Sequence, residues 1–232
     1  MHYQTPAVGI ERRVMATDGP LGVLAGKDLA VFDLDGTLYD DRTYLRAADR
    51  AIAADLAATY GLDGAEVMAT LDEVLADTGR HEFLTNLVDR LDLPDPRQAA
   101  IDGGLRQLRQ VDAVVALFPW ADRLLRDLAA GGTAVAVLTN GNRQQQVNKV
   151  TLLGLDDPGY PLTVVYTVDH RQKPAPDGLL HLLRATGVPA DRAVMVGNDA
   201  VDRDCAAACR VDYVDVTDLV AALSARGPEL AL

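Results

Sequence analysis

The chain has 232 residues, of which 49% are hydrophobic and 24% are charged, and its formal net charge is −12. This composition is ordinary for a soluble globular protein, and the acidic balance argues against general binding to nucleic acid or to anionic membranes. No segment approaches the roughly 20 apolar residues that cross a bilayer, and residues 1–22 lack the apolar core of a signal peptide. We therefore expect a cytoplasmic protein whose partner is a small molecule.

Five β-strands are predicted from short apolar runs that begin after a weakly periodic leader, residues 1–27, which we expect to be loosely held. The predicted strands are Leu29–Phe32, Ala134–Leu138, Thr163–Tyr166, Ala193–Val196 and Tyr213–Val216. Runs of this length suit strands that are buried on both faces of a parallel sheet. Amphipathic stretches with glycine at or near their ends lie between the later strands. This alternation predicts an α/β fold with a Rossmann-like parallel sheet.

Residues 41–116 interrupt the alternation, because they are too many for one crossover helix and show no strand pattern. Apolar residues recur at helical spacing in about four segments, and the Gly103–Gly104 pair is predicted to break the last one. We therefore predict an inserted all-helical domain at 41–116 and a core formed by 28–40 and 117–232. An insertion at this point overhangs the carboxyl edge of the sheet, where ligands of such folds bind.

Polar residues follow the predicted strands at this same edge. They are Asp33 and Asp35 after the first strand, Thr139 and Asn140 after the second, Lys173 beyond the third, and GNDAVDRD at 197–204 after the fourth. Neighbouring carboxylates repel each other and are costly to bury unless a positive charge compensates them. A cluster of carboxylate oxygens suits Mg²⁺, a hard cation that also binds phosphate.

The same residue types are suited to phosphoryl transfer. One aspartate can attack phosphorus, and another can protonate the leaving oxygen and later activate water. A lysine and a threonine hydroxyl can hold phosphate oxygens and offset the charge of the transition state.

Taken in order, four stretches of the chain resemble the four motifs of the haloacid dehalogenase-like (HAD) superfamily of hydrolases. They are DLDGT, LTNG, the lysine of KPAPD, and the acidic GNDAVDRD. The resemblance covers residues 29–216 and places 41–116 where this superfamily has its helical C1 cap. It implies the HAD fold and is closest to the branch that contains small-molecule phosphatases and nucleotidases.

The resemblance also implies a role for each residue of the first three motifs. Asp33 is expected to be the nucleophile, and Asp35 the general acid and base whose backbone carbonyl also meets Mg²⁺. Thr139 and Asn140 are expected to bind the phosphoryl group together with Lys173, which offsets the charge of nucleophile and phosphate. The catalytic set is thus Asp33, Asp35, Thr139 and Lys173.

The fourth motif departs from the family pattern, since Asn198 stands where an aspartate usually follows the glycine. Asp199 and Asp204 are five residues apart, which is the spacing of two acidic residues in many members. The predicted metal ligands are therefore Asp33, Asp35 and Asp199, with Asp204 and Asn198 in supporting roles. Binding through the carbonyl of Asn198 is the alternative, and Asp202 is a spare.

The predicted function is a Mg²⁺-dependent phosphomonoesterase that hydrolyses a small phosphorylated metabolite, such as phosphoglycolate, a sugar phosphate or a nucleotide, through an aspartyl-phosphate on Asp33. A phosphosugar mutase of the same superfamily would keep the same residues, and a non-catalytic binding protein is the alternative that the irregular fourth motif suggests. A dehalogenase would not need Asp35. Cys205 and Cys209 are predicted to be buried thiols rather than a disulfide or a metal pair.

Overall fold

The computed structural model describes residues 19–225 and begins with a short helix, α1, at Pro20–Leu24. Most of the predicted leader lies outside the described residues, but Pro20–Leu24 differs from the expectation of a loosely held segment. Proline stands in the first helical turn, where its missing N–H costs nothing. Leu21 and Leu24 are buried in the core of the protein, so apolar packing holds this end of the chain.

A five-stranded, fully parallel sheet forms the centre of the molecule, in the order β3-β2-β1-β4-β5. The strands are β1 Leu29–Phe32, β2 Ala134–Thr139, β3 Leu162–Tyr166, β4 Ala193–Gly197 and β5 Asp212–Asp215. Each predicted strand is present, with ends that differ by at most one residue. The fifth stops at Asp215 because that carboxylate accepts a hydrogen bond from the Thr217 amide and so caps the next helix.

Within residues 19–225, nine further α-helices follow α1. They are α2 Asp41–Tyr60, α3 Gly64–Thr78, α4 Phe83–Arg90, α5 Arg97–Gln110, α6 Pro119–Ala130, α7 Arg143–Leu152, α8 Asp177–Thr186, α9 Ala200–Cys209 and α10 Val216–Ser224. Within the described residues, no helix is both long enough and apolar enough to span a membrane.

Helices cover both faces of the sheet. Ala30 and Phe32 of β1 point into a core shared with α1, α6 and α10, whereas Leu29 and Val31 point into one shared with α8 and α9. Because successive side chains of a strand alternate between faces, a strand buried on both sides must be apolar throughout. The predicted fold class, a Rossmann-like parallel α/β core, is confirmed.

The two cysteines belong to the second of these cores. Cys205 and Cys209 are free and buried on α9. Burial raises the pKa of the Cys205 thiol to about 12, which keeps it protonated and unreactive at neutral pH. The prediction of buried apolar thiols is confirmed.

Four helices, α2 to α5, fill residues 41–110 and enclose an apolar core of their own. Helix α5 continues through Gly103–Gly104 without a break, contrary to the sequence prediction. A Cβ on Gly104 would lie 2.5 Å from a methyl of Leu84, so this glycine allows α4 and α5 to approach closely. Here glycine serves helix packing rather than helix termination.

Candidate active site

The loops after β1 and β4 meet at the carboxyl edge of the sheet, because the two strands are neighbours. The chain turns sharply after Asp35 at Gly36, whose φ of +71° favours glycine. A Cβ on Gly36 would lie 2.7 Å from Nδ2 of Asn198. The glycine of the first motif therefore lets the Asn198 side chain pack directly against the Asp33–Asp35 turn.

Lys173 joins the first, third and fourth motifs in one buried cluster. Its Nζ donates to Oδ1 of Asp33 at 2.5 Å, to Oδ1 of Asp202 at 2.7 Å and to the carbonyl of Leu138 at 2.9 Å. The exposed fractions are 7% for Asp33, 4% for Lys173 and 1% for Asp202. Residues that are far apart in sequence thus converge, and Asp202, only a spare by sequence, is the second carboxylate of the cluster.

Burial and the neighbouring charges have opposite effects on the pKa values of Asp33 and Lys173. Burial and, to a smaller extent, the nearby Asp202 raise the pKa of Asp33 to about 6, although Lys173 opposes the shift. Burial by itself would lower the pKa of Lys173, but its two carboxylate partners outweigh burial and raise it. The lysine is therefore fixed as a cation, while Asp33 is a carboxylate that burial makes less stable than usual.

The loop that carries Lys173 is held by the second motif. Asn140 donates through Nδ2 to the carbonyl of Lys173 and accepts through Oδ1 from the Lys173 amide and the Thr167 hydroxyl. The side chain of Asn140, predicted to bind phosphate, is thus occupied in positioning Lys173. Thr139 is buried, and its hydroxyl has only a long 3.4 Å contact, to the carbonyl of Asn140. This hydroxyl is free to change partner.

Asp35 is held apart from the Lys173 cluster by three other side chains. Its Oδ1 accepts from the Tyr39 hydroxyl at 2.7 Å, and both of its oxygens lie 2.8 Å from Nζ of Lys149. Oδ2 also accepts from Nε2 of Gln146 at 3.0 Å. Burial beside the Asp35 carboxylate raises the pKa of Tyr39, so its hydroxyl remains a donor.

Sequence reasoning missed Gln146 and Lys149. Both are buried on the inward face of α7, three residues apart, next to the apolar Val150. Two polar side chains on the buried face of a helix are unusual. That pattern, in the helix that follows the second motif, is the sequence signal by which they could have been found.

The fourth motif places its polar residues differently from the sequence prediction. The Thr37 hydroxyl lies 3.1 Å from Oδ1 of Asn198 and 3.4 Å from Oδ2 of Asp33, so it bridges these two groups. Asp199 is exposed at the start of α9, where its amide donates to Asp202. Asp204 is also exposed, and it pairs with Arg203. Of the two, Asp202 and not Asp204 contacts Lys173.

The oxygens at this edge fit a hard divalent cation that retains several waters. Within residues 19–225, no three acidic, histidine or cysteine side chains form a set that could hold a metal by themselves. Mg²⁺ needs fewer protein ligands, since one or two carboxylates, waters and substrate phosphate complete its shell. Among the described residues, Oδ2 of Asp33 has a single contact, the 3.4 Å one with the Thr37 hydroxyl, and the same hydroxyl lies 3.1 Å from the side-chain Oδ1 of Asn198. Both oxygens are available for such an ion.

A cavity of about 510 Å³ lies beside the start of α2. Arg42, Arg46 and Arg50 line it, together with Asp40, Asp112 and small residues. Arg42 and Arg46 are already paired with aspartates. None of the motif residues lines the cavity, so the candidate chemistry is located at the sheet edge.

Residues 27–210 match the family model of the haloacid dehalogenase-like hydrolases, which spans most of the chain. The chain belongs to this family. The HAD assignment made from the four motifs is confirmed, and the fold described above agrees with it.

Two curated proteins are similar to this HAD-like chain over most of its length. A phosphoglycolate phosphatase of Rhodospirillum rubrum is 33% identical over 188 residues, which are 79% of this chain and 77% of that protein. A glyceraldehyde 3-phosphate phosphatase of Methanocaldococcus jannaschii is 28% identical over 191 residues, which are 80% of this chain and 82% of that protein. Both relatives are phosphatases by name, which agrees with the predicted enzyme class.

The solved structures show the same fold. A HAD-superfamily hydrolase of subfamily IA from Geobacter sulfurreducens superposes with a TM-score of 0.59 at 21% identity, over 82% of this chain and 88% of that one. A putative β-phosphoglucomutase from Thermotoga maritima superposes with a TM-score of 0.60 at 15% identity, over 85% of this chain and 99% of that one. At these identities the similarity shows the HAD fold alone and carries no information on substrate.

Proposed function

We propose that this HAD-like hydrolase is a Mg²⁺-dependent phosphomonoesterase that works through an aspartyl-phosphate on Asp33. The observation that carries the proposal is the buried Asp33 carboxylate at the end of β1, joined to Lys173, with Asp35 two residues further on in a separate hydrogen-bond cluster. Two carboxylates in different environments can take different roles, one as nucleophile and one as proton donor and acceptor. The names of the curated relatives support the same reaction class.

In the first step, a carboxylate oxygen of Asp33 forms a bond to phosphorus while the ester P–O bond breaks. The proton that the leaving oxygen needs comes from the Asp35 carboxyl. In the second step, Asp35 accepts a proton from water as that water attacks the phosphorus of the aspartyl-phosphate. Phosphate leaves, and the Asp33 carboxylate is restored. Lys173 and the Thr139 hydroxyl hold phosphoryl oxygens during both steps.

For the metal we assign the Asp33 carboxylate, the backbone carbonyl of Asp35 and one oxygen of the fourth motif. Bound Mg²⁺ would neutralise the charge that builds up between nucleophile and phosphate. Asn198 and Asp199 are both exposed, but the Thr37 hydroxyl contacts Asn198 as well as Asp33, which favours Asn198 as the third ligand. Asp202 takes the supporting role predicted for Asp204, because it binds Lys173 directly.

The substrate we propose is a small phosphorylated metabolite of the cytoplasm. Phosphoglycolate and glyceraldehyde 3-phosphate, named for the two relatives, are short phosphoesters, and they define the first compounds to try. The chain's net charge of −12 makes an anionic polymer an unsuitable partner.

The test is phosphate release from p-nitrophenyl phosphate with and without Mg²⁺, followed by a panel of phosphoglycolate, glyceraldehyde 3-phosphate, sugar phosphates and nucleotides. We expect turnover that requires Mg²⁺ and that Asp33→Asn reduces by at least a thousandfold. Asp72→Asn, on the exposed surface of α3, is the matched control and keeps full activity. A wild-type protein that releases no phosphate from any of these esters would contradict the proposal and favour a binding protein.

A further inference from the structure

Asp35 forms an ion pair with Lys149, a residue that has no role in the proposed mechanism. The side chain of Lys149 is 4% exposed and that of Asp35 is 28% exposed, and Nζ lies 2.8 Å from both carboxylate oxygens. Within residues 19–225, Asp35 is the ion-pair partner of Lys149, whose Nζ also lies 5.1 Å from the centre of the Tyr44 ring. A buried lysine without a carboxylate partner is costly. This lysine is therefore tied to Asp35.

The hydrogen bonds around Asp35 define the direction of its carboxylate. Tyr39 and Lys149 donate to Oδ1, and Gln146 and Lys149 donate to Oδ2. A carboxylate has about four acceptor positions, so these contacts hold its orientation, and one of them must open when Asp35 carries the proton for the leaving oxygen. Nε2 of Gln146 also donates to the carbonyl of Asn140, which anchors the amide to the second motif.

We infer that Lys149, together with Gln146, is a positioning residue for the acid and base function of Asp35. The inference rests on the proposed phosphatase reaction and adds to it a second lysine that does not touch the phosphate. When Asp35 gives its proton to the leaving oxygen it becomes an anion, and the ammonium of Lys149 stabilises that anion. The same contact then orients the carboxylate that accepts a proton from the attacking water.

A comparison of two leaving groups separates this role from a purely structural one. p-Nitrophenolate leaves as an anion without a proton, whereas an alkoxide needs one. The quantity kcat/KM reports the steps up to phosphorylation of Asp33, so it depends on the proton donor only for the alkyl ester. The substrates are p-nitrophenyl phosphate and the alkyl phosphate with the highest kcat/KM in the metabolite panel.

For Lys149→Met we expect kcat/KM to fall about 100-fold with the alkyl phosphate and less than about fivefold with p-nitrophenyl phosphate. Asp35→Asn should show the same contrast. When Asp35→Asn is already present, adding Lys149→Met should lower kcat/KM for the alkyl phosphate by less than about a further threefold. The reason is that Lys149 acts through the Asp35 carboxylate. Gln146→Met, which retains the ion pair, is the milder second variant and should show the same preference for the aryl ester.

The matched control is Lys27→Met. Lys27 is a mostly buried, ion-paired lysine that precedes β1 at the opposite edge of the sheet. We expect this variant to leave the ratio of the two kcat/KM values unchanged.

A stability measurement provides a readout that is independent of activity. In metal-free protein, Asp35→Asn should lower the Tm by roughly 5 °C, because it leaves the buried Lys149 without its counterion. Adding Lys149→Met should recover at least half of that loss.

Three outcomes would overturn the inference. One is an equal loss of kcat/KM for both esters in Lys149→Met. Another is a loss of kcat/KM from Lys149→Met that is as large in the Asp35→Asn protein as in the wild type. The third is a Tm that the second substitution does not recover. A wild-type protein without Mg²⁺-dependent turnover of either ester would instead remove the proposed function, and this inference with it.

Discussion

In the cluster around Lys173, two carboxylates share one ammonium group as their hydrogen-bond donor. Lys173 lies between Asp33 and Asp202, so each carboxylate affects the other through one ammonium group. The position of Asp202 depends in turn on Gly197, since a Cβ there would lie 2.4 Å from Oδ2 of Asp202. The fourth motif is therefore coupled to Asp33 through Lys173.

The first residue-scale prediction distinguishes two aspartates of α9. Asp202→Asn removes a charged acceptor of Lys173 and should lower kcat/KM at least tenfold, because the lysine is no longer held in place. Asp204→Asn changes an exposed side chain paired with Arg203 and should stay within about twofold of wild type. Steady-state kinetics with p-nitrophenyl phosphate measures both. Equal losses in the two variants would contradict the special role of Asp202, and a larger loss in Asp204→Asn would favour Asp204.

At the same scale, the buried Asp33 carboxylate affects the stability of the metal-free protein. The pKa of Asp33 is raised from its ordinary 3.8 to about 6, so between these values the folded state holds a proton that the unfolded state releases. The contribution of Asp33 to the free energy of unfolding therefore falls as pH rises from 4 to 6. Asp33→Asn removes this penalty and should stabilise metal-free protein at pH 7.5 by about 1–3 kcal/mol.

Urea unfolding in EDTA at pH 7.5 and at pH 4.5 measures this effect. The stabilisation by Asp33→Asn should be largest at pH 7.5 and should shrink towards the lower pH. A variant that is less stable than wild type at pH 7.5 would show that Lys173 more than compensates the buried carboxylate.

At the scale of elements, an ion pair between the buried Asp49 and the partly exposed Arg80 joins α2 to the connection between α3 and α4. Asp49 of α2 is 2% exposed, and both of its oxygens accept from Arg80, which lies between α3 and α4. The guanidinium also stacks over the Phe83 ring at 5.5 Å. This contact fixes the α3–α4 connection against α2.

Arg80→Met should destabilise the protein by about 2–4 kcal/mol, because Asp49 is left buried without a counterion. Adding Asp49→Asn should recover part of the loss. Arg90→Met is the matched control, since Arg90 pairs with Asp77 and Glu73 in exposed positions, and its effect should stay below about 1 kcal/mol. Chemical unfolding curves give all three values, and an equal effect at Arg80 and Arg90 would contradict the role of the buried pair.

The whole molecule brings the four motifs together because the order of its strands differs from their order in sequence. β1 lies between β2 and β4, so the loops that follow these three strands are neighbours. The acidic cluster formed in this way is the feature that a divalent cation would relieve.

Mg²⁺ should therefore stabilise the folded protein against heat. At a concentration 100 times its Kd, a ligand that binds only the folded state adds about 2.7 kcal/mol, which corresponds to a rise in Tm of several degrees for a chain of this size. Asp33→Asn should lose most of this rise, whereas Asp72→Asn should keep it. Differential scanning calorimetry with and without Mg²⁺ checks both, and an equal rise in the Asp33→Asn variant would place the ion elsewhere.

Sequence alone determined the family, the parallel sheet and the identity of the residues that end β1, β2 and β4. These features are local, because apolar runs fix strands and a parallel sheet sends all their carboxyl ends to one edge. The roles assigned to Asp33, Asp35, Thr139 and Lys173 stay predictions that the geometry supports.

Only the tertiary structure decided which polar groups meet. Lys149 and Gln146 come together with Asp35 across more than 100 residues, and Asp202 rather than Asp204 faces Lys173. The helix phase of α9 and the packing of α7 on the sheet set these contacts. Such packing depends on the whole fold, whereas a motif records only spacing along the chain.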